Sequence, residues 1–405
     1  MCVSEAVIDD GLVIRLAGRG DGVTADSRHV PLTAPGDVVD PYGVITRGPH
    51  HVDPPCKHFP RCGGCELQHV DDDSYAGFVS DRITGALRAQ GLGVPEMAPA
   101  HLSPSHTRRR ATMRAERIGK RVVLGFNEGS SHRIIDLAQC DILHPALFAL
   151  VAPLRKFLLE LMREKRAAGV QMTLTDQGVD LLLEKVTADG LDAAEALTAF
   201  AQAHNLARLS IDDGDGPQAR WEPAGVTVTL GGIAVGMPVK GFLQATADGE
   251  AALLAAVSEA VRGAGTIADL FAGLGTFALP LSANAKVYAA EGARDPALAL
   301  KLAAARGGRQ MLVDHRDLYR RPLDAKELAR FDAIVLDPPR AGAKEQMIDL
   351  ARSDVARVVY VSCNPQTFAR DAKTLIDGGY RLERILPVGQ FRWSTHVELV
   401  GTFTK

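Results

Sequence analysis

The feature that most constrains this chain is the run Asp269-Leu270-Phe271-Ala272-Gly273-Leu274-Gly275-Thr276-Phe277-Ala278. It reads as an apolar strand, a glycine-rich turn and the start of a helix. Glycines at such a turn let the backbone approach a ligand where a Cβ would collide. From about residue 250 onward, helical patterns alternate with short apolar runs at 266–271, 286–290, 333–336 and 358–361. That alternation predicts a doubly wound α/β domain with a mainly parallel sheet. Gly273, Gly275 and Ala278 also satisfy the G-x-G-x-x-A fingerprint, and Glu291 closes the next apolar run, where a carboxylate can accept both hydroxyls of a ribose. Alone, the motif specifies an adenosine-containing cofactor. It leaves a nicotinamide enzyme and a merely structural tight turn open.

Upstream the character differs. A chain of 405 residues, 46% of them apolar, is too long for one compact core and implies two or three domains. Residues 1–52 carry short Val- and Ile-rich runs punctuated by Gly and Pro, the pattern of a small β-barrel or meander. Residues 53–240 mix helical spacing (73–90 and 145–165) with strand-like runs (170–174 and 179–185), predicting a central α+β domain, and 241–405 form the α/β domain. The opening residues lack a basic start followed by an apolar core, and no apolar run spans a bilayer. The expectation is a cytoplasmic, monomeric protein without a membrane partner. Net charge is only −3, but Arg108, Arg109, Arg110, Arg114, Arg117, Lys120 and Arg121 against Glu116 give one stretch a local +6. Such a run is either a solvated strand face or, with Arg133 and Lys57, a grip for phosphates.

Three of the six cysteines, Cys56, Cys62 and Cys65, fall within ten positions, and Cys140 is a distant fourth. Four thiolates suit either a tetrahedral zinc or an iron–sulfur cluster, and spacing does not separate the two. Cys2 has no assigned role. Cys363 stands in Ser362-Cys363-Asn364-Pro365 and Asp337 in Asp337-Pro338-Pro339-Arg340, each directly after an apolar run. Both motifs therefore fall at carboxyl ends of expected parallel strands, the edge where open α/β sheets bind ligands. That position favours a reactive Cys363 over the buried core role common for a lone cysteine.

On these motifs the C-terminal half resembles the RNA uracil-5-methyltransferase family, and the cysteine layout resembles its iron–sulfur-containing 23S ribosomal RNA branch. The matching stretches are 269–277, 336–343, 361–371 and His396-Val397-Glu398, with Gly241-Phe242-Leu243-Gln244, 140–145 and 56–69 upstream. The resemblance implies a class I methyltransferase fold and S-adenosylmethionine as cofactor. It places cofactor contacts at Gln244, Phe271, Gly273, Thr276, Glu291, Asp317 and Asp337. Thr276 departs from the asparagine found in many relatives. The resemblance further implies a [4Fe-4S] cluster on Cys56, Cys62, Cys65 and Cys140 rather than zinc, and an N-terminal barrel of the RNA-binding type. Cys363 becomes the nucleophile and Glu398 the base. These residue types fit the chemistry independently: carbon 5 of uracil is a poor nucleophile until a thiolate adds at carbon 6, and a base must then remove the carbon-5 proton. RNA is the implied partner, 23S rRNA before tRNA. A nicotinamide-dependent oxidoreductase would leave Cys363, Asp337 and the four cysteines idle. A non-catalytic iron–sulfur RNA-binding module would leave Cys363→Ala without effect.

Overall fold

The computed structural model describes residues 10–405. Cys2 and the start of the expected barrel lie outside the described residues. The apolar runs of the C-terminal half become strands because both of their faces are covered. In β1 (Thr266–Leu270), β2 (Lys286–Glu291), β3 (Met311–His315), β4 (Ala333–Leu336) and β5 (Arg357–Ser362), neighbouring strands pair in parallel. Ala268, Leu270, Ile334, Leu336, Val358 and Tyr360 enter the core on one face, and Ile267, Ala333, Val335, Val359 and Val361 the core on the other. Double burial is why these strands read as continuous apolar runs rather than alternating ones.

Two antiparallel strands, β6 (Arg381–Gly389) and β7 (Glu398–Thr404), complete the order β3-β2-β1-β4-β5-β7-β6. The order reverses between β1 and β4, so the turns after these two strands flank the crevice where such sheets bind ligands. Two short segments from the middle of the chain, Glu96–Met97 and His101–Leu102, add in parallel to β6. The helix Asp72–Ala89, capped by Asp71 at Ser74, packs Tyr75, Phe78, Ile83 and Leu87 into the same core as Phe368 and Leu375. The sheet is therefore closed by residues from well upstream of its own domain.

The rest of the middle segment forms a six-stranded sheet that includes Arg110–Ile118, Ala167–Thr175, Gly178–Glu184 and Leu206–Asp212. Its core holds Phe157 stacked on Phe200, ring centroids 4.2 Å apart. Arg208 and Asp180, both buried, form a two-pronged ion pair (2.9 and 2.7 Å), and Arg208 also donates to the Met237 carbonyl at 3.0 Å. Lys240 bonds Glu184 at 2.8 Å and Asp212 at 2.9 Å. These contacts pin the segment leading to Gln244 onto the central sheet.

The N-terminal segment follows the meander of the two alternatives among the described residues. Among the described residues, Val13–Leu16, Gly22–Thr24 and His29–Val30 make an open three-stranded sheet, and Val38–Val39 with Ile45–Thr46 a separate ribbon. One bridge, Leu12 to Val38, joins them. The buried Asp37 carboxylate ties the segment together, accepting from the Ala34 and Gly48 amides and bonding His51 Nδ1. No helix among the described residues is long and apolar enough to cross a membrane.

Candidate active site

The turn after β1 is strained where a ligand would be met. Phe271 has φ +65°, a left-handed conformation rarely adopted by a bulky residue and common at functional turns. Gly273 (φ +56°) has open space where a Cβ would stand, whereas a Cβ on Gly275 would come within 2.5 Å of Leu300. One glycine thus leaves room above the turn, and the other lets the turn pack on the helix Arg294–Arg306. The Gly273 amide donates to Glu291 Oε2 at 2.8 Å and the Ala293 amide to Oε1 at 2.6 Å. Each carboxylate oxygen keeps a lone pair for a ribose hydroxyl.

Asp269, on β1, is fully buried and carries no site assignment from the sequence. Neither of its carboxylate oxygens makes a hydrogen bond of good geometry, although the Ala278 amide lies close enough to hold its pKa down in part. Burial, with the charge of Asp337 adding to it, pushes its pKa well above the carboxylate range. The open space over Gly273, next to a Glu291 carboxylate with lone pairs to spare, suits an adenosine-containing ligand that brings ribose hydroxyls. The residues present therefore fit S-adenosylmethionine. Thr276 is partly exposed in the turn. Asp317, after β3, is half exposed and accepts from the amides of Tyr319 (3.0 Å) and Arg320 (3.4 Å) in its own turn.

The second group gathers at β4, β5 and β7. Ser362 on β5 pairs with Leu399 on β7, so Cys363 and Glu398, one step further along each strand, flank one another at the sheet's edge. Burial raises the Cys363 thiol to about 11; Glu398 and Asp337 add to the rise and Arg340 opposes it. Glu398, 5% exposed, is raised to about 8 by burial and by Asp337, against Gln390, Arg110 and Arg340. Asp337 itself is raised to about 7 by burial. Gln244 donates to Asp337 Oδ2 at 3.4 Å and accepts from Gln390 Nε2 at 2.9 Å. Gln390, buried and carrying no sequence signal of its own, also accepts from the Ala245 amide at 3.0 Å. Asp337 thus sits with the reactive pair, acting on the charge of both members.

Cys363, Glu398, Arg340, Phe242, Phe391 and His396 line a cavity of about 590 Å³. The basic stretch enters it differently from an exposed phosphate grip. Arg108 lies over the Phe391 ring at 5.1 Å and Arg110 over Phe242 at 4.3 Å, both lining the cavity. Arg109 turns inward to Glu250 and to the Gln244 carbonyl. Arg117 donates to the carbonyls of Leu159 and Met162. Arg114, Lys120 and Arg121 remain exposed. Buried carbonyls and a partner 141 positions away capture cations that a local reading leaves in solvent.

The same cavity is lined by Cys56, Cys62, Cys65 and Cys140. Burial raises all four thiols. Cys56 then adds to the rise at Cys62, Cys140 and Cys62 at Cys65, and Cys56 and Cys62 at Cys140, so the four are electrostatic neighbours. Among the described residues, however, no three His, Cys, Asp or Glu side chains are gathered as a site for a metal ion.

Fold and crevice define a class I methyltransferase: strand order, the glycine turn after the first strand and an acid closing the second all belong to that architecture. Comparison with known proteins narrows this. The tRNA (Uracil-5-)-methyltransferase family profile matches residues 309–405. An uncharacterised RNA methyltransferase of Zymomonas mobilis is 52% identical, covering 97% of this chain and 99% of its own. The 23S rRNA (uracil(1939)-C(5))-methyltransferase of Chromohalobacter salexigens is 32% identical, covering 98% and 89%. Among solved structures, the Pyrococcus abyssi tRNA (uracil-54, C5)-methyltransferase in complex with S-adenosyl-L-homocysteine superposes with a TM-score of 0.74 at 21% identity, covering 97% of this chain and 100% of that one. The chain belongs to the RNA uracil-5-methyltransferase family and is an S-adenosylmethionine-dependent enzyme.

Proposed function

We propose that this enzyme methylates carbon 5 of one uridine in 23S ribosomal RNA, with Cys363 as nucleophile and Glu398 as base. The observation that carries this reading is the flanking of Cys363 and Glu398 at one sheet edge, facing one cavity. S-adenosylmethionine, when bound, supplies an electrophilic methyl group. The thiolate of Cys363 forms a bond to carbon 6, which moves an electron pair through the ring and makes carbon 5 nucleophilic. Once carbon 5 carries the methyl group, Glu398 takes the carbon-5 proton, the ring recovers its double bond and the carbon–sulfur bond breaks. Arg340 opposes the upward shift of both groups, so it favours the thiolate and the carboxylate alike.

The choice of ribosomal RNA rests on the similarity to the Chromohalobacter enzyme and on the four-cysteine pattern. Mass mapping of 23S and transfer RNA from cells lacking the protein tests it. Loss of one 5-methyluridine in 23S rRNA, restored by the purified enzyme, is expected; loss in tRNA alone would move the reading to the tRNA enzymes.

A pH profile follows from the raised pKa values. Below a thiol pKa of about 11 the thiolate fraction grows tenfold with each unit of rising pH, so single-turnover methyl transfer should rise roughly tenfold per unit from neutrality to about pH 9. A base at about 8 is protonated below that value, so the covalent adduct should outlive methyl transfer under mildly acidic conditions and resolve faster as pH passes 8. Rapid-quench kinetics checks both steps. A flat profile would contradict the assignments.

Cys56, Cys62, Cys65 and Cys140 fit an iron–sulfur cluster by donor chemistry: four soft ligands line one cavity, and Gly63 and Gly64 line it between Cys62 and Cys65. The group would fasten the cysteine loop to the segment around Cys140 and so shape the cavity wall. Anaerobically purified protein should contain iron and acid-labile sulfide, with both lost in Cys65→Ser. Zinc without sulfide would assign the four thiolates to a single ion instead.

A further inference from the structure

Arg340 is exposed, yet it is held at both ends. Its carbonyl accepts from Asn364 Nδ2 at 3.1 Å and Thr367 Oγ1 at 3.2 Å, at the start of the helix that follows Cys363. Its guanidinium lies 2.8 Å from His396 Nδ1. A guanidinium only donates, so the imidazole nitrogen facing it must accept, and the ring proton resides on Nε2. The His396 ring is braced by Phe391, edge to face at 5.9 Å, and its amide donates to Ser394 Oγ at 3.2 Å. The charged groups that bear on His396 are Arg340, Arg108 and Arg82; those that bear on Cys363 are Glu398, Asp337 and Arg340. Arg340 is the one cation in both sets, and a long side chain without an acceptor at its tip would sample many rotamers.

We infer that His396, as the neutral Nε2–H tautomer, is the positioning residue that aims the Arg340 guanidinium at Cys363. Protonating the ring on Nδ1 would replace the acceptor with a second donor and release the guanidinium. The inference rests on the proposed role of Cys363 for its meaning in the reaction, but its test does not.

Full-length enzyme, without RNA or methyl donor, is alkylated with iodoacetamide across neutral and alkaline pH, and the Cys363 peptide is quantified by mass spectrometry. In His396→Ala the loss of an oriented cation should raise the thiol pKa by roughly half to one unit, slowing alkylation about three- to tenfold below that pKa. In His396→Asn the amide oxygen can stand where Nδ1 stood, and the rate should return to within about twofold of wild type. Arg340→Met should slow the reaction equally, and adding His396→Ala to it should slow it no further. Unchanged alkylation in His396→Ala, an asparagine variant as slow as alanine, or additive losses in the double variant would each overturn the inference. Should His396→Ala fail to fold, His396→Leu, closer in size and without an acceptor, takes its place: it must slow alkylation and His396→Asn must not. Thiol reactivity of the resting enzyme is read independently of RNA chemistry, so failure here is distinguishable from failure of Cys363 as nucleophile.

Discussion

Cys363→Ala is expected to lose methyl transfer by at least about 10⁴-fold, equivalent to roughly 5.5 kcal/mol of transition-state stabilisation. The size follows from the chemistry. Without a bond at carbon 6 there is no enolate, and carbon 5 of an intact uracil ring does not attack an alkylating centre at a useful rate. Binding should survive, because Gln244, Glu291 and the turn at 271–276 are untouched. The side chain is small and stands at the edge of the cavity, so the melting temperature should move by no more than a few degrees. Equilibrium binding of S-adenosylmethionine, thermal denaturation and a methyl-transfer assay separate these outcomes. Retained activity would remove Cys363 from the mechanism and revive a non-covalent or non-catalytic reading.

Glu398→Gln is the second large effect, and its signature differs in kind. Glu398 has its pKa raised to about 8, so in the resting enzyme near neutral pH it is mostly a neutral carboxylic acid. Glutamine is close to isosteric with that form, and folding should be nearly unchanged. Addition and methylation do not need the base, but release does. The variant should therefore accumulate a methylated RNA–protein adduct that survives denaturation, while turnover falls by about 10²- to 10⁴-fold. Denaturing gel electrophoresis of labelled RNA reads the adduct directly. Slow turnover without an adduct would place Glu398 earlier in the reaction, as a group that positions the base or supports the thiolate.

The sheet was legible because its strands are buried on both faces. Ala333–Leu336 is apolar throughout, with every residue buried. The glycine turn and the motifs at Asp337 and Cys363 were legible from chain position: each follows an apolar strand, and a parallel sheet puts such positions on one edge. The added strands at Glu96–Met97 and His101–Leu102 were not, since two residues carry no periodicity. The arginine run misled for another reason. Charge in sequence says nothing about acceptors elsewhere, and Glu250, two carbonyls of a distant helix and two aromatic rings draw four of these side chains inward. Asp269 could have been found as an acid inside an otherwise apolar strand, a residue expensive to bury without a ligand or a partner. Gln390 and the Arg340–His396 contact depend on antiparallel strands returning to the active edge, which no local pattern announces.

The account's central claim is a covalent bond between Cys363 and carbon 6 of the target uracil, and one measurement reaches it most directly. RNA carrying 5-fluorouridine at the target position has fluorine in place of the proton that Glu398 must remove, so release is blocked after methylation. Incubation with the enzyme and S-adenosylmethionine, followed by nuclease and protease digestion and mass spectrometry, should yield one peptide in which Cys363 carries a methylated fluorouridine. An intact Cys363 peptide alongside methylated free RNA, or an adduct on any other residue, would contradict the account.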